Sequence, residues 1–234
     1  MIGRQINPLI NLYDSGQYDL VDAFLSLPIS GFLLLGVLGL KGLLLRAENN
    51  ESTLALLTQL DPLTNSFSRS EVLYRISEEI DRSRRNQHVF ALMEMDIDHF
   101  KKVNDQFGHQ VGDEILVSLV RHAKDVLRSI DTVGRIGGEE FLILLPETSL
   151  EEALRLAERL RMHIAKATHH TSTPSPVQIT ISIGITIFNP SKKLITERGI
   201  LLNELIKEAD EAMYEAKNSG RNRVTVWSPK SGKT

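Results

Sequence analysis

Three short segments of this chain gather residue types that can act on phosphates. In MDIDHFKKVNDQFGHQVGD, residues 95–113, Asp96 and Asp98 stand two apart at the end of an apolar run. On an extended strand that spacing points both carboxylates to one side. Carboxylates so placed suit a hard cation such as magnesium, which completes its shell with water and substrate phosphates. A solvated acidic turn has the same composition, so the neighbours carry weight. Lys101 offers a cation for phosphate, while Asn104 and Asp113 offer an amide and a carboxylate suited to the donor and acceptor edge of a purine. In the second segment, RIGGEEF at 135–141, Gly137 and Gly138 precede Glu139 and Glu140. The glycines free a turn and let a ligand or a second backbone approach. If this tip lies beside the strand ending at Asp96, then Asp96 and Glu139 make a site able to bridge metals of the kind used in phosphoryl and nucleotidyl transfer. In the third segment, KNSGRN at 217–222, Lys217 and Arg221 fall at a helix end, where they either clamp phosphate oxygens or compensate the helix dipole.

The surrounding pattern predicts the elements that must position these groups. Ser68 and Glu71 form a capping box ahead of Leu73, Ile76 and Ile80 at helical spacing. Val89 to Met95 is a near-continuous apolar run, as expected of a strand covered on both faces, with Glu94 its one interior exception. A helix is expected from about Gly112 to Arg128, a hairpin over Arg135 to Leu145, and a third helix capped by Ser149 and Glu152. The polar stretch 168–177 reads as a loop, and Ile179 to Ile187 alternates as a half-buried strand. A last helix from about Leu202 to Asn218 stops at Gly220, and Val224 to Trp227 closes the set as a strand. This order gives an α/β fold in which helices flank a central sheet.

Composition narrows the chemistry. The chain has 234 residues, with 27 Lys+Arg against 30 Asp+Glu, a formal charge of -3, and no cysteine. No global positive field exists to hold a nucleic-acid duplex, and any metal must be held by oxygen or imidazole. Ala23 to Leu40 is a run of eighteen uncharged residues, roughly 27 Å of helix against a hydrocarbon core of about 30 Å. That predicts a transmembrane helix over 23–45, preceded by a short segment 1–22 and followed by a linker or stalk helix over 46–60, a catalytic domain over 61–228 and a tail over 229–234. Lys41 and Arg46 flank the run on its C-terminal side, which places the domain in the cytoplasm. A buried or dimerising stalk in a soluble protein is the alternative.

Taken together, the three segments resemble the GGDEF domain of diguanylate cyclases, here as GGEEF. The likeness covers about residues 61–228, from DPLT at 61–64 to ADEAMYEAKNSGRN at 209–222. It implies a palm-like fold with a mostly antiparallel sheet, preceded by the N-terminal apolar segment. It also implies condensation of two GTP into cyclic di-GMP with release of pyrophosphate by a homodimer, which the apolar run, read as a span, would tether to the inner face of a bacterial membrane. Two Mg2+ ions, with Mn2+ as a substitute, would be held by Asp96, Glu139 and the backbone carbonyl of Ile97, with Glu140 near the attacking 3′-hydroxyl. Asn104 and Asp113 look like guanine readers, and Lys101, Lys217 and Arg221 like phosphate contacts. Phe100 lies beside the nucleotide, Gly137 and Gly138 close to it, and His109 has a positioning or packing role. Arg128 and Asp131 stand at the family's spacing for an inhibitory cyclic di-GMP site, with Arg155 and Arg159 as secondary arginines; an ordinary helix-end ion pair is the alternative. Where the family commonly reads DPLTGLxNR this chain has DPLTNSFSR, a departure that touches packing and no proposed ligand group. A catalytically inactive domain that senses GTP or cyclic di-GMP is the competing reading.

Overall fold

The computed structural model describes residues 32–41, 59–191 and 197–229. The chain divides into two compact units, residues 1–57 and 58–234. Within the first, residues 32–41 form a helix with every residue exposed. Among the described residues no helix is long and apolar enough to cross a membrane. The transmembrane helix expected over 23–45, and the membrane anchoring drawn from it, are therefore unsupported. The rest of that stretch, the segment 1–22 and nearly all of the linker 46–60 lie outside the described residues.

The second unit carries helices α1 (Arg69–Asn86), α2 (Phe100–Phe107), α3 (His109–Val126), α4 (Leu150–Lys166) and α5 (Arg198–Asn218). Its strands are β1 (Phe90–Ile97), β2 (Thr132–Gly137), β3 (Glu140–Leu145), β4 (Ile181–Phe188) and β5 (Val224–Val226). The sheet order is β2-β3-β1-β4-β5. All neighbours pair antiparallel except β4 and β5, as the mostly antiparallel expectation required.

Strand parity divides the core. Ala91, Met93, Met95 and Ile97 of β1 pack with α3 and α4, whereas Phe90 and Leu92 pack with α1 and α5. Because side chains alternate across a strand, the even-numbered Glu94 and Asp96 face the α1 and α5 side. This is why a polar pair survives inside an otherwise apolar strand: Asp96 meets Lys217 at the end of α5, and Glu94 opens into a cavity between α1 and the middle of α5, rather than into the α3–α4 core. The sheet and α5 approach closely at Gly184, where a Cβ would lie 2.2 Å from backbone atoms of Ala209 and Met213.

Two elements differ from the sequence-based expectation. The segment after Asp98 folds at once into α2, and α3 starts at His109 rather than Gly112. Gly108, at φ 86, breaks the chain between them. Helix α2 is only eight residues long, so the helical spacing of Phe100, Val103 and Phe107 makes a short signal, and of the three only Phe100 is buried. The DPLTNSFSR departure proves local. Asn65 takes φ 55, a left-handed conformation in which asparagine replaces glycine at modest cost. Asp61 Oδ1 accepts from the Thr64 amide at 2.8 Å and hydroxyl at 2.7 Å.

Candidate active site

The register of β1 and β3 sets Asp96 directly opposite Glu140. Gly138, at φ 40, turns the β2–β3 hairpin, so Glu139 sits at its tip beside Asp96. The turn is held from outside: Arg135 Nε and Nη2 donate to the Gly138 carbonyl at 2.9 and 2.7 Å, and Nη1 lies 3.5 Å from Asp61 Oδ1. Arg69 Nη1 donates to the Ile136 carbonyl at 3.0 Å. The DPLT turn and the start of α1 thus brace the acidic hairpin.

From the other flank, the last turn of α5 delivers Lys217, whose ammonium stands 2.7 Å from Asp96 Oδ2. Burial pushes the Asp96 carboxyl up to about 6; Lys217 opposes the rise, and Glu139 and Glu140 add to it. Beneath it, burial pushes Glu94 up to about 8, with Asp210, Glu140 and Asp96 contributing. Glu94 Oε2 is buried without a hydrogen-bond partner. Five carboxyl groups, Glu94, Asp96, Glu139, Glu140 and Asp210, therefore act on one another at this end of the sheet, with Lys217 opposing them. The donor set fits magnesium or manganese, since it is all oxygen.

Sequence reasoning passed over Glu94, although an acidic residue inside an apolar run was the visible signal. It yields a pH prediction for the metal-free protein. A carboxyl whose folded pKa lies above its unfolded value binds more protons in the native state, so stability is full below the unfolded pKa and falls as pH rises through the folded one. In chelator, the chain is expected to lose roughly 3 kcal/mol between pH 5 and pH 8, and Glu94→Gln to flatten that slope. Urea melts across this range check it; a wild type as stable at pH 8 as at pH 5 contradicts it.

Asp98 does not join the acidic group. Its Oδ2 accepts from Thr180 Oγ1 at 2.6 Å and the Asn222 amide at 2.9 Å, and its Oδ1 accepts from Ser182 Oγ at 2.6 Å. It knots β4 to the turn after α5, which holds Arg221 at φ 63. The spacing put Asp98 on the same side as Asp96 only if the strand stayed extended; β1 ends at Ile97, so Asp98 lies beyond it.

Helix α2 packs against α3 at Gly112. A Cβ there would fall 1.9 Å from Asn104 Oδ1 and 3.2 Å from the Phe100 ring. The bare glycine lets Asn104 lie over the start of α3 next to exposed Asp113, and its buried Oδ1 has no hydrogen-bond partner. An orphaned amide acceptor beside a free carboxylate matches a purine donor edge. Lys101, His109 and Arg221 are exposed, and Phe100 is buried.

Arg128 and Asp131 lie at the turn after α3, in a separate cluster. The Arg128 amide donates to Asp131 Oδ2 at 2.8 Å, and its Nη2 donates to Asp131 Oδ1 at 3.0 Å and to Thr148 Oγ1 at 2.6 Å. Arg159 Nη2 reaches the Val126 carbonyl at 2.7 Å, so it joins the group. Arg155 pairs with Glu151 on its own helix and, like Arg128, acts on the Glu152 carboxylate. Beside Arg128 and Asp131 opens a groove of about 380 Å³ lined also by Asn65, Ser66 and Lys124.

Comparison with known proteins follows the same lines. The family model described as diguanylate cyclase, GGDEF domain, matches residues 58–223. The diguanylate cyclase DgcP of Pseudomonas aeruginosa is 41% identical over 168 residues, covering 71% of this chain and 23% of that protein. The GGDEF domain of DgcB from Caulobacter crescentus, solved in complex with c-di-GMP, superposes with a TM-score of 0.65 at 28% identity, covering 72% of this chain and 92% of that one. The diguanylate cyclase SiaD of Pseudomonas aeruginosa, solved with its activator SiaC, gives a TM-score of 0.64 at 31% identity over 96% of this chain and 87% of that one. The chain spans 23% and 35% of the length of the first two curated relatives it matches.

Proposed function

We propose, from the premise that this chain belongs to the diguanylate cyclase GGDEF-domain family, that it condenses two GTP molecules into cyclic di-GMP across a homodimer. Each protomer presents one GTP. The 3′-oxygen of each nucleotide forms a bond to the α-phosphorus of the other, the bond to pyrophosphate breaks, and two pyrophosphates leave. What supports this reading above all is the pairing of Asp96 with Glu140 across β1 and β3, with Lys217 on the same carboxylate.

Asp96, Glu139 and the Ile97 carbonyl would hold Mg2+, or Mn2+ in its place. Bound there, such an ion neutralises charge on the phosphates and lowers the pKa of the attacking hydroxyl. Glu140, opposite Asp96, takes the 3′-hydroxyl proton. Asn104 and Asp113 accept from the guanine ring and amino N–H groups, which selects guanine over adenine. Lys101 and Arg221 hold the triphosphate in line, with the knot at Asp98 fixing the turn that carries Arg221. Lys217 balances the carboxylates until substrate arrives and then shares the phosphate charge.

Purified chain incubated with GTP and magnesium, its product identified by mass, tests the proposal. A product of cyclic di-GMP mass, formed at a specific rate that rises with protein concentration, supports it. Binding of GTP without turnover would favour the non-catalytic sensor instead.

The Arg128, Asp131 and Arg159 group beside its groove is the site at which product would inhibit. Guanidinium groups pair with phosphate or with the acceptor edge of guanine, and the carboxylate accepts from guanine N–H groups. Arg128→Ala removes a bidentate partner and is expected to raise the product concentration for half-inhibition by about tenfold or more, leaving the initial rate unchanged. An unaltered inhibition curve refutes this role.

A further inference from the structure

The face where α3 meets α4, away from the carboxylate centre, carries a histidine cluster that the proposed reaction does not use. His122 and Asp125 stand at i and i+3 on α3, and His163 comes from the last turn of α4. One donor atom from each lies within 4.8 Å of the others. Both ring nitrogens of His122 and the Nε2 of His163 are buried with no hydrogen-bond partner. His122 Nδ1 is 3.8 Å from Asp125 Oδ2, beyond hydrogen-bond reach. The third histidine nearby, His169, is satisfied, with Nδ1 3.0 Å from Ser118 Oγ and Nε2 3.4 Å from the Ile164 carbonyl. It packs edge-on against His122, ring centroids 5.2 Å apart, and walls the cluster on its inner side.

Buried imidazole nitrogens are ordinarily paired, because leaving them bare forfeits their solvation. Here the unpaired nitrogens of two rings converge with a carboxylate, and Asp125 at 59% exposure keeps a path to solvent. We infer that His122, Asp125 and His163 form a binding site for a divalent transition metal of the zinc class, joining α3 to α4. Two imidazoles and one carboxylate with an open fourth position suit zinc, cobalt or nickel, whereas magnesium prefers an all-oxygen shell. Small rotations of the three side chains bring donors to bonding distance of about 2.0–2.2 Å. A metal here ties the two helices together and leaves the carboxylate centre free.

The test uses the untagged full chain with millimolar magnesium present to occupy the carboxylate centre. Zinc is titrated by calorimetry while the imidazole resonances are followed by NMR. The expected result is one zinc per chain, bound at micromolar strength or tighter, with shifts confined to His122, His163 and the adjacent His169. His88, His99, His109 and His170 stay unmoved. Asp125→Asn, on an exposed side chain that the fold does not need, weakens binding by about tenfold or more, and His163→Gln abolishes it. Absence of stoichiometric binding, shifts centred on other histidines, or unchanged affinity in Asp125→Asn overturns the inference, the last of these even if His163→Gln fails to fold.

Discussion

Glu140→Gln is expected to lower the rate of cyclic di-GMP formation by about a thousandfold or more, and Glu139→Gln to do the same, without loss of thermal stability. Both substitutions keep the shape of the side chain and remove its charge. Neither side chain is part of the core, and the residues that fix the hairpin, Arg135 on Gly138 and Arg69 on Ile136, are untouched. The Glu140 charge also raises the carboxyls of Glu94 and Asp96, so its removal relieves like-charge repulsion, and the metal-free variant melts no lower than wild type. Pyrophosphate release and a thermal melt on the same preparation separate the two effects. Activity within about tenfold of wild type in either variant would remove these residues from the chemistry.

Asp98→Ala is expected to have the largest effect on stability, a loss of about 4 kcal/mol. The carboxylate is buried and accepts from two hydroxyls and one amide that come from β4 and from the turn after α5. Truncation leaves three donors facing an apolar gap, and charge-assisted bonds are the stronger kind. The same turn carries Arg221, so catalysis should weaken through a higher KM for GTP before the fold fails. Urea unfolding of Asp98→Ala and Asp98→Asn checks this, the asparagine variant falling between wild type and alanine because it keeps one acceptor oxygen. A cost below about 1 kcal/mol for Asp98→Ala would mean the knot is dispensable.

The contrast between these two aspartates shows how far the amino-acid pattern can be read. Asp96 was legible because it ends an apolar run, and a strand end beside a glycine turn is where a carboxylate can meet a second one. Asp98 looked equivalent, since residue spacing of two implies a common face only while the strand stays extended. The strand stops one residue too early for that, because the chain turns at His99, φ 59, directly into α2. Helices α1 and α4 were legible from their Ser caps and apolar stripes, both caps being present. Short α2 was not, because Phe100, Val103 and Phe107 recur at helical spacing over only eight residues, too short a run to stand out. The arginines divide similarly. Spacing alone cannot tell that Arg159 reaches a carbonyl on the neighbouring helix while Arg155, one turn earlier, is taken by Glu151. The histidine cluster was invisible for the same reason, since its members come from two helices.

The account rests on Asp96 and Glu139 sharing a divalent cation that also grips the nucleotide. Diffraction at the manganese absorption edge, from crystals of the chain grown with Mn2+ and a non-hydrolysable GTP analogue, tests that most directly. The expected map has an anomalous peak between the Asp96 and Glu139 carboxylates and the analogue's phosphates, with Lys217 turned from Asp96 toward a phosphate oxygen. A map in which the analogue is bound but the manganese lies elsewhere, with Lys217 still closed on Asp96, would contradict it.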